Sequence, residues 1–321
     1  MYSIGVDLGG TKIAVGLVDD NNKILVKETL PTLAFRSADE ITKDIAFLCK
    51  KVCEPNKVEL SSLEGIGMAI PGTINTKTGI VEYSNNIKFH DFPVVDLMAK
   101  HLSVDKKMFK IGNDANLAAY GEAVAGAGIG SSSCIVITLG TGVGSGIILD
   151  GKLVTGIAYG GAELGHMVIE YNGKQCTCGR KGCLEAYASA TALVELTREK
   201  YNKYPNSYMH NICNNDPSRI GGKTAFQAMY AGDKAGKEVV DTYLSYLACG
   251  IVNIINIFQP EILCIGGGVS NEGPKLIELL LPLVKEQIYG KGNVLVTKIA
   301  LAKLANEAGI IGAAAYSRSK D

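Results

Sequence analysis

At 321 residues the chain has room for two ordinary domains, each able to bury its own core. A composition of 47% apolar and 20% charged residues is that of a folded globular protein and excludes a disordered one. Thirty-two basic and 32 acidic side chains cancel to zero net charge, so nothing draws the chain generically to nucleic acid or anionic membranes. No signal-peptide pattern precedes the first strand, and no apolar run reaches the roughly 18–20 residues of a membrane span. Nine cysteines, an odd number, fit a reducing cytoplasmic location better than a disulfide framework.

The first thirty residues read as a hairpin design: strand Tyr2–Asp7, Gly-rich turn Leu8–Lys12, strand Ile13–Val18, polar turn, then alternating strand Lys23–Leu30. In DLGGTK, Gly9 and Gly10 let backbone amides approach a ligand, while Thr11 and Lys12 add a hydroxyl and an ammonium. A strand follows where a P-loop or dinucleotide fingerprint would place a helix. Alone, the segment is either a phosphate-gripping turn or a plain Gly-rich turn. Asp39 to Cys53 carries Ile41, Ile45, Leu48 and Val52 at helical spacing. A buried strand, Gly65–Ile70, runs into Pro71-Gly72, where the chain must change direction. The segment to about Phe92 reads as a loop and short hairpin holding Asn85 and Asn86. Strand Phe109–Gly112 leads through Asn113-Asp114-Ala115-Asn116 into an alanine-rich helix, Leu117 to Ala127. An acid at that junction suits either catalysis or a helix N-cap.

The opening design then returns. Cys134–Leu139, the turn Gly140-Thr141-Gly142-Val143-Gly144, Ser145–Leu149, Asp150-Gly151 and Lys152–Val154 repeat it about 130 residues later. Two such units argue for two similar domains facing one cleft, and two turns can hold one polyphosphate from opposite sides. Next, GGAELGHMVIEYNGKQCTCGRKGCLE gathers His166, Cys176, Cys178 and Cys183, the donor set of a closed, structural zinc site. Glu163 and Glu185 bracket it and are not needed by the metal. Helices follow over Ala186–Lys200, Thr224–Ala231 and Lys234–Phe258, separated by a polar stretch, Tyr201–Gly222. Strand Glu261–Ile265 enters Gly266-Gly267-Gly268-Val269-Ser270, against which a flat ligand can lie. Helix Leu276–Gln287, edge strand Asn293–Lys298 and a closing helix from Asn306 to Arg318 complete the chain.

DLGGTK, Pro71-Gly72, Asn113-Asp114, LGTGVG, E-x-x-H with CxCGxxGCxE, and GGGVS together resemble the ROK family over the whole chain. The resemblance is nearest to that family's bacterial glucokinase branch. It implies a two-domain α/β actin-like ATPase fold of the ribonuclease H-like, hexokinase type, with an interdomain cleft and a structural zinc loop. The smaller domain would take residues 1–116 plus about 305–321, and the larger 117–304. The implied reaction is ATP-dependent phosphorylation of a hexose, glucose to glucose 6-phosphate first. N-acetylmannosamine, N-acetylglucosamine or fructose kinases are the alternatives within the family.

By the same resemblance, Asp7, Gly9, Gly10, Thr11 and Lys12 form the first phosphate loop, with Asp7 near Mg²⁺ through water. Thr138, Gly140, Thr141 and Gly142 form the second, and Gly266, Gly267, Gly268 and Val269 the adenosine wall. Asp114 becomes the general base. Gly72, Asn86, Asn113, Asp114, Glu163, His166 and Glu185 become the sugar contacts, with Asn85 the rival to Asn86. The single residue between Cys176 and Cys178 is tighter than ordinary zinc knuckles, but the family uses it. A sugar-sensing ROK regulator would carry a DNA-binding domain before the first phosphate-loop strand, which here begins at Ser3. No nucleic-acid or membrane partner is therefore expected, and a homodimer is, by family analogy.

Overall fold

The computed structural model describes residues 1–84, 87–290 and 296–319. Strands β1 (Tyr2–Leu8), β2 (Lys12–Asp19) and β3 (Ile24–Pro31) form an antiparallel meander. β1 and β2 are buried on both faces, whereas β3 alternates as an edge strand should. Helix α1 (Ala38–Cys53) begins at a capping box. Ser37 Oγ accepts from the Glu40 N–H and the Glu40 carboxylate accepts from the Ser37 N–H. Strand β4 (Gly65–Ile70) follows, then β5 (Thr73–Asn75), β6 (Ile80–Tyr83) and β7 (His90–Phe92) as a separate three-stranded sheet. Helix α2 (Val94–Leu102) is an element beyond those expected, although Val94, Val95, Met98, Ala99 and Leu102 mark its buried face plainly.

Strand β8 (Phe109–Asn113) passes directly into α3 (Asp114–Ala125). The first sheet has the order β3-β2-β1-β4-β8, with β1, β4 and β8 parallel. The second sheet repeats that order. Strands β9 (Cys134–Leu139), β10 (Val143–Leu149), β11 (Lys152–Leu153), β12 (Ile262–Gly266) and β13 (Lys298–Leu301) run β11-β10-β9-β12-β13. The duplication seen in the hairpins thus extends to whole five-stranded sheets.

Between β11 and β12 the expected single helix after the cysteine loop is two. A short α4 (Glu185–Ala188) gives way to α5 (Ala190–Lys203), because Ser189 leaves helical backbone to accept from the Ala192 N–H. The polar 201–222 stretch is not featureless. It contains α6 (Met209–Ile212) and packs Tyr201, Met209, Cys213 and Ile220 into a small core with Ala228 and Ala235. Helices α7 (Thr224–Tyr230), α8 (Lys234–Phe258), α9 (Pro274–Gln287) and α10 (Ala308–Ser317) complete the set. Among the described residues α8 is the one helix long and apolar enough to cross a membrane by length and composition. Its buried stripe, from Val239 through Leu247 to Ile255, marks it as a core helix. Of the edge strand expected over 293–298, residues 293–295 lie outside the described residues, and the described strand is Lys298–Leu301. The Thr297 hydroxyl donates to the Pro260 carbonyl and the Lys298 N–H to Glu261, which sets the start of pairing.

The chain divides into two compact units, residues 1–135, 146–162 and 303–321 in one, and 136–145 and 163–302 in the other. In the first unit α10 lies on the sheet so closely that a Cβ on Gly5 or Gly67 would strike the Ile310 or Ala313 carbonyl. Glu122 on α3 fixes the approach to α10. It is 2% exposed, and its carboxylate accepts N–H bonds from Ala127 (2.9 Å), Lys303 (3.0 Å) and Leu304 (2.6 Å). Removing it takes the acceptor from three part-buried N–H donors. Glu122→Ala is therefore expected to cost about 3 kcal/mol or more of stability, read as a lower urea midpoint, with Glu122→Gln losing less.

Candidate active site

Parallel register decides what meets at one end of the first sheet. Asp7 on β1 pairs with Ala69 on β4, and Ile70 on β4 pairs with Asn113 on β8. Asp7, the Pro71-Gly72 bend and Asn113-Asp114 therefore leave the sheet side by side. Asn113 is the N-cap of α3, its Oδ1 accepting from the Asn116 N–H at 3.2 Å. The cap alternative for Asp114 falls, because Asn113 already fills that position. The other end of the Asn113 amide donates to the Gly72 carbonyl at 3.1 Å, tying the bend to the helix start. Asp114 becomes the first helical residue, and its Oδ1 accepts from the Ala115 N–H at 2.9 Å. Burial raises its carboxyl above the ordinary carboxylate range.

Asp7 is raised further, to about 6, first by burial and then by the neighbouring Asp114 charge, with Lys12 opposing. The start of α10 presses on it. A Cβ added at Gly309 would lie 2.7 Å from the Asp7 carboxyl carbon, so Gly309 is a glycine by contact. The Gly9–Lys12 turn closes with the Gly9 N–H on the Lys12 carbonyl at 2.9 Å. Fully buried Thr32 holds the turn from behind, its hydroxyl on the Gly9 carbonyl at 2.6 Å and its N–H on that of Thr11 at 3.0 Å.

The second unit builds a matching turn. The Gly140 N–H donates to Gly142 O at 3.0 Å, Ala190 N–H to Gly140 O at 2.8 Å, and the Thr191 hydroxyl to Thr141 O at 2.8 Å. Gly266 at the end of β12 passes beside Thr138, and Gly267 beside Leu139, so the GGGV segment adjoins the end of β9. A cavity of about 140 Å³ opens between this turn and the cysteine loop, lined by Thr141, Lys174, Thr177, Glu185, Ser189 and Thr191 among others.

In the cysteine loop the four predicted ligands converge, with donor atoms all within 4.8 Å of one another. Cys178 and Cys183 sulfurs are 3.7 Å apart, as are Cys176 Sγ and His166 Nδ1. A tetrahedral zinc with Zn–S of about 2.3 Å places two thiolates roughly 3.8 Å apart, so the donor set fits that ion. Burial raises the Cys176 thiol and pushes Cys183 up to about 12, whereas the Arg180 backbone N–H lowers Cys178. Thiols this reluctant to ionise need a cation to become thiolates. Zinc held here would have four protein ligands and supply rigidity, not chemistry. Glu163 sits at the start of the single turn that delivers His166, whose N–H bonds the Glu163 carbonyl. The Glu185 carboxylate reaches Val143 N–H at 3.0 Å and the Thr177 hydroxyl at 3.1 Å.

The structure thus gathers Asp7, Gly72, Asn113 and Asp114 in one unit. It gathers the 140–143 turn, Gly266–Val269, Glu185 and the His–Cys cluster in the other. Asn86, with its rival Asn85, lies outside the described residues. Sequence reading missed Thr32, Thr191, Glu122 and Gly309. Only Glu122, the one acid past the first turn of an alanine-rich helix, carried a visible signal.

This mixed α/β fold, with paired glycine turns and a His–Cys₃ loop, is that of ROK glucokinase structures. The ROK family model matches residues 3–320, and the chain belongs to that family. It is 39% identical to the glucokinase of Thermotoga maritima over 318 residues, which is 99% of this chain and 97% of that protein. A ROK family glucokinase from Streptomyces griseus, solved with glucose and AMPPNP, superposes with a TM-score of 0.80 at 31% identity, covering 99% of both chains. The xylose repressor of Bacillus subtilis is 30% identical over 300 residues, 91% of this chain and 71% of that protein.

Metal analysis is expected to give one zinc per chain, lost on Cys178→Ser. Asp7 yields a sharper expectation. Its folded value of about 6 exceeds the ordinary 3.8, so its contribution to stability is full below pH 3.8 and is lost as pH rises through 6. Asp7→Asn is expected to be more stable than wild type by about 2–3 kcal/mol at pH 8 and equal near pH 4, measured by urea denaturation without nucleotide.

Proposed function

We propose that this chain is an ATP-dependent hexose kinase that converts glucose to glucose 6-phosphate. The observation that carries the proposal is the state of Asp114. Its carboxylate stands at a strand end, buried and relieved of capping by Asn113, with a proton affinity raised by burial. A general base works best when its pKa approaches the working pH, and burial moves a carboxyl in that direction. In this reading Asp114 takes the proton of the sugar 6-hydroxyl as that oxygen bonds to the γ-phosphorus, while the bond from the γ-phosphorus to the β,γ-bridging oxygen breaks and ADP leaves. The remaining catalysis is positioning and charge neutralisation by the two glycine turns. Asp7 would help to hold Mg²⁺, which would supply charge neutralisation at the phosphates.

Asn113 and Gly72, already joined by their hydrogen bond, would present a fixed edge to the sugar. Glu163, His166 and Glu185 would accept from or donate to its other hydroxyls. His166 would bind zinc through one ring nitrogen and a hydroxyl through the other. Relatives named glucokinase, matched along their whole length, support glucose over the N-acetylated hexosamines or fructose. The likeness to a xylose repressor supports a second reading, a sugar-responsive regulator without turnover. We further propose a homodimer working in the cytoplasm, on family grounds alone.

A turnover panel with ATP-Mg²⁺ across glucose, mannose, fructose and the two N-acetylhexosamines separates these readings. Glucose is expected to give the highest kcat/KM, and no turnover with any sugar would favour the regulator. Asp114→Asn is expected to lower kcat about a thousandfold while glucose binding by calorimetry persists. Wild-type kcat/KM should fall with acid along a limb lying above the ordinary carboxylate range, since the base must be ionised.

A further inference from the structure

Residues 185–191, immediately after the last cysteine ligand, supply three of the bonds that hold the second glycine turn. Ala190 N–H takes the Gly140 carbonyl, the Thr191 hydroxyl takes the Thr141 carbonyl, and Glu185 takes the Val143 N–H. Glu185 Oε2 also sits where a Cβ on residue 142 would be, so the carboxylate lies flat against the turn. Its other oxygen faces the cysteine loop, 3.1 Å from the Thr177 hydroxyl and 3.5 Å from Cys176 Sγ. Thr177 is the residue between the paired cysteines. One carboxylate therefore joins the metal loop to the phosphate turn, and a side-chain hydroxyl from inside the C-x-C sets its angle. With these three contacts about one of the carboxylate's roughly four lone pairs remains, which leaves Glu185 able to meet a sugar hydroxyl.

We propose that Thr177 is a positioning residue for the 140–143 turn, acting through Glu185, and that the cysteine loop thereby governs nucleotide binding and not sugar binding alone. The kinetic part of this inference rests on the kinase reading above; the structural part does not. Without the Thr177 hydroxyl, Glu185 loses the partner that orients it, and the Val143 N–H loses a fixed acceptor. The Ala190 and Thr191 bonds remain, so the turn loosens at one end and the fold persists.

The test compares Thr177→Val, Thr177→Ala and Thr177→Ser in the full, zinc-loaded chain. Amide hydrogen exchange at Val143 is expected to quicken tenfold or more in the Val and Ala variants and to return to wild type in Ser. Zinc should stay at one per chain, and exchange in α1, which belongs to the other unit, should not change. Thr191→Val, which loosens the same turn without touching the metal loop, is expected to quicken exchange at residues 140–143 as well. In turnover, Thr177→Ala should raise the KM for ATP about tenfold, more than the KM for glucose. If Val disturbs metal binding, Ala decides, because it removes the hydroxyl without added bulk. Unchanged Val143 exchange in a zinc-replete Thr177→Ala overturns the proposal. Equal rises in both KM values overturn its assignment to the nucleotide. A wild type without turnover would instead refute the kinase reading and leave the exchange result to judge the tie.

Discussion

Two carboxyl groups, Asp7 and Asp114, are held near one another in a poorly solvated place, and much of the first unit exists to keep them there. Each suffers from burial, and Asp7 suffers also from its neighbour's charge. Left to itself, a chain would relieve that strain by turning one side chain to solvent. The parallel register of β1, β4 and β8 brings them to the same end of the sheet, with Asp7 level with Gly112 and Asp114 two residues beyond it. Glu122, at the far end of the helix that Asp114 begins, anchors the segment before α10. Functional sites commonly store free energy in buried groups of this kind.

The second unit solves a different problem. A glycine turn is useful to a phosphate because its amides are unencumbered, and for that reason it has no side chains of its own to hold it. Both turns are steadied from outside, by Thr32 in one unit and by Glu185, Ala190 and Thr191 in the other. In each case a threonine hydroxyl takes a turn carbonyl. The two copies of the design thus share a support as well as a strand order, although the supporting threonines come from unrelated positions in the chain.

How much of this was legible depended on the range of the cause. Helix α8 shows its bounds, Lys234–Phe258, because Asp233 and Pro260 flank a clear apolar period. The four metal ligands were legible because local spacing suffices to name them. Asn113 and Asp114 exposed a limit, since either can cap a helix and the choice turns on one residue of register with β4. The described part of the last strand starts at Lys298, where pairing is set by Pro260 and Glu261 on another segment, a cause that the apolar run around Val296 does not reveal. Thr32, Thr191 and Gly309 act through partners distant in sequence, and nothing near them announces it. Glu122 stood out chemically, but two of its three partners lie 181 and 182 residues away.

That distance has a temporal side. Helix α10 covers the face of β1 and presses on Asp7, but β1 is made some 300 residues earlier. At ribosomal speeds of about 5–20 residues per second, that face waits roughly 15–60 s for its cover. An ordinary apolar sheet face left bare so long would invite association with other nascent chains. Here the waiting face presents Gly5, Gly16, Gly67, Ala14 and Ala69, with Val18 its one large apolar side chain among these clusters' strand residues in β1, β2 and β4, so there is little to adhere to. The small residues that let α10 seat so closely also make its late arrival safe.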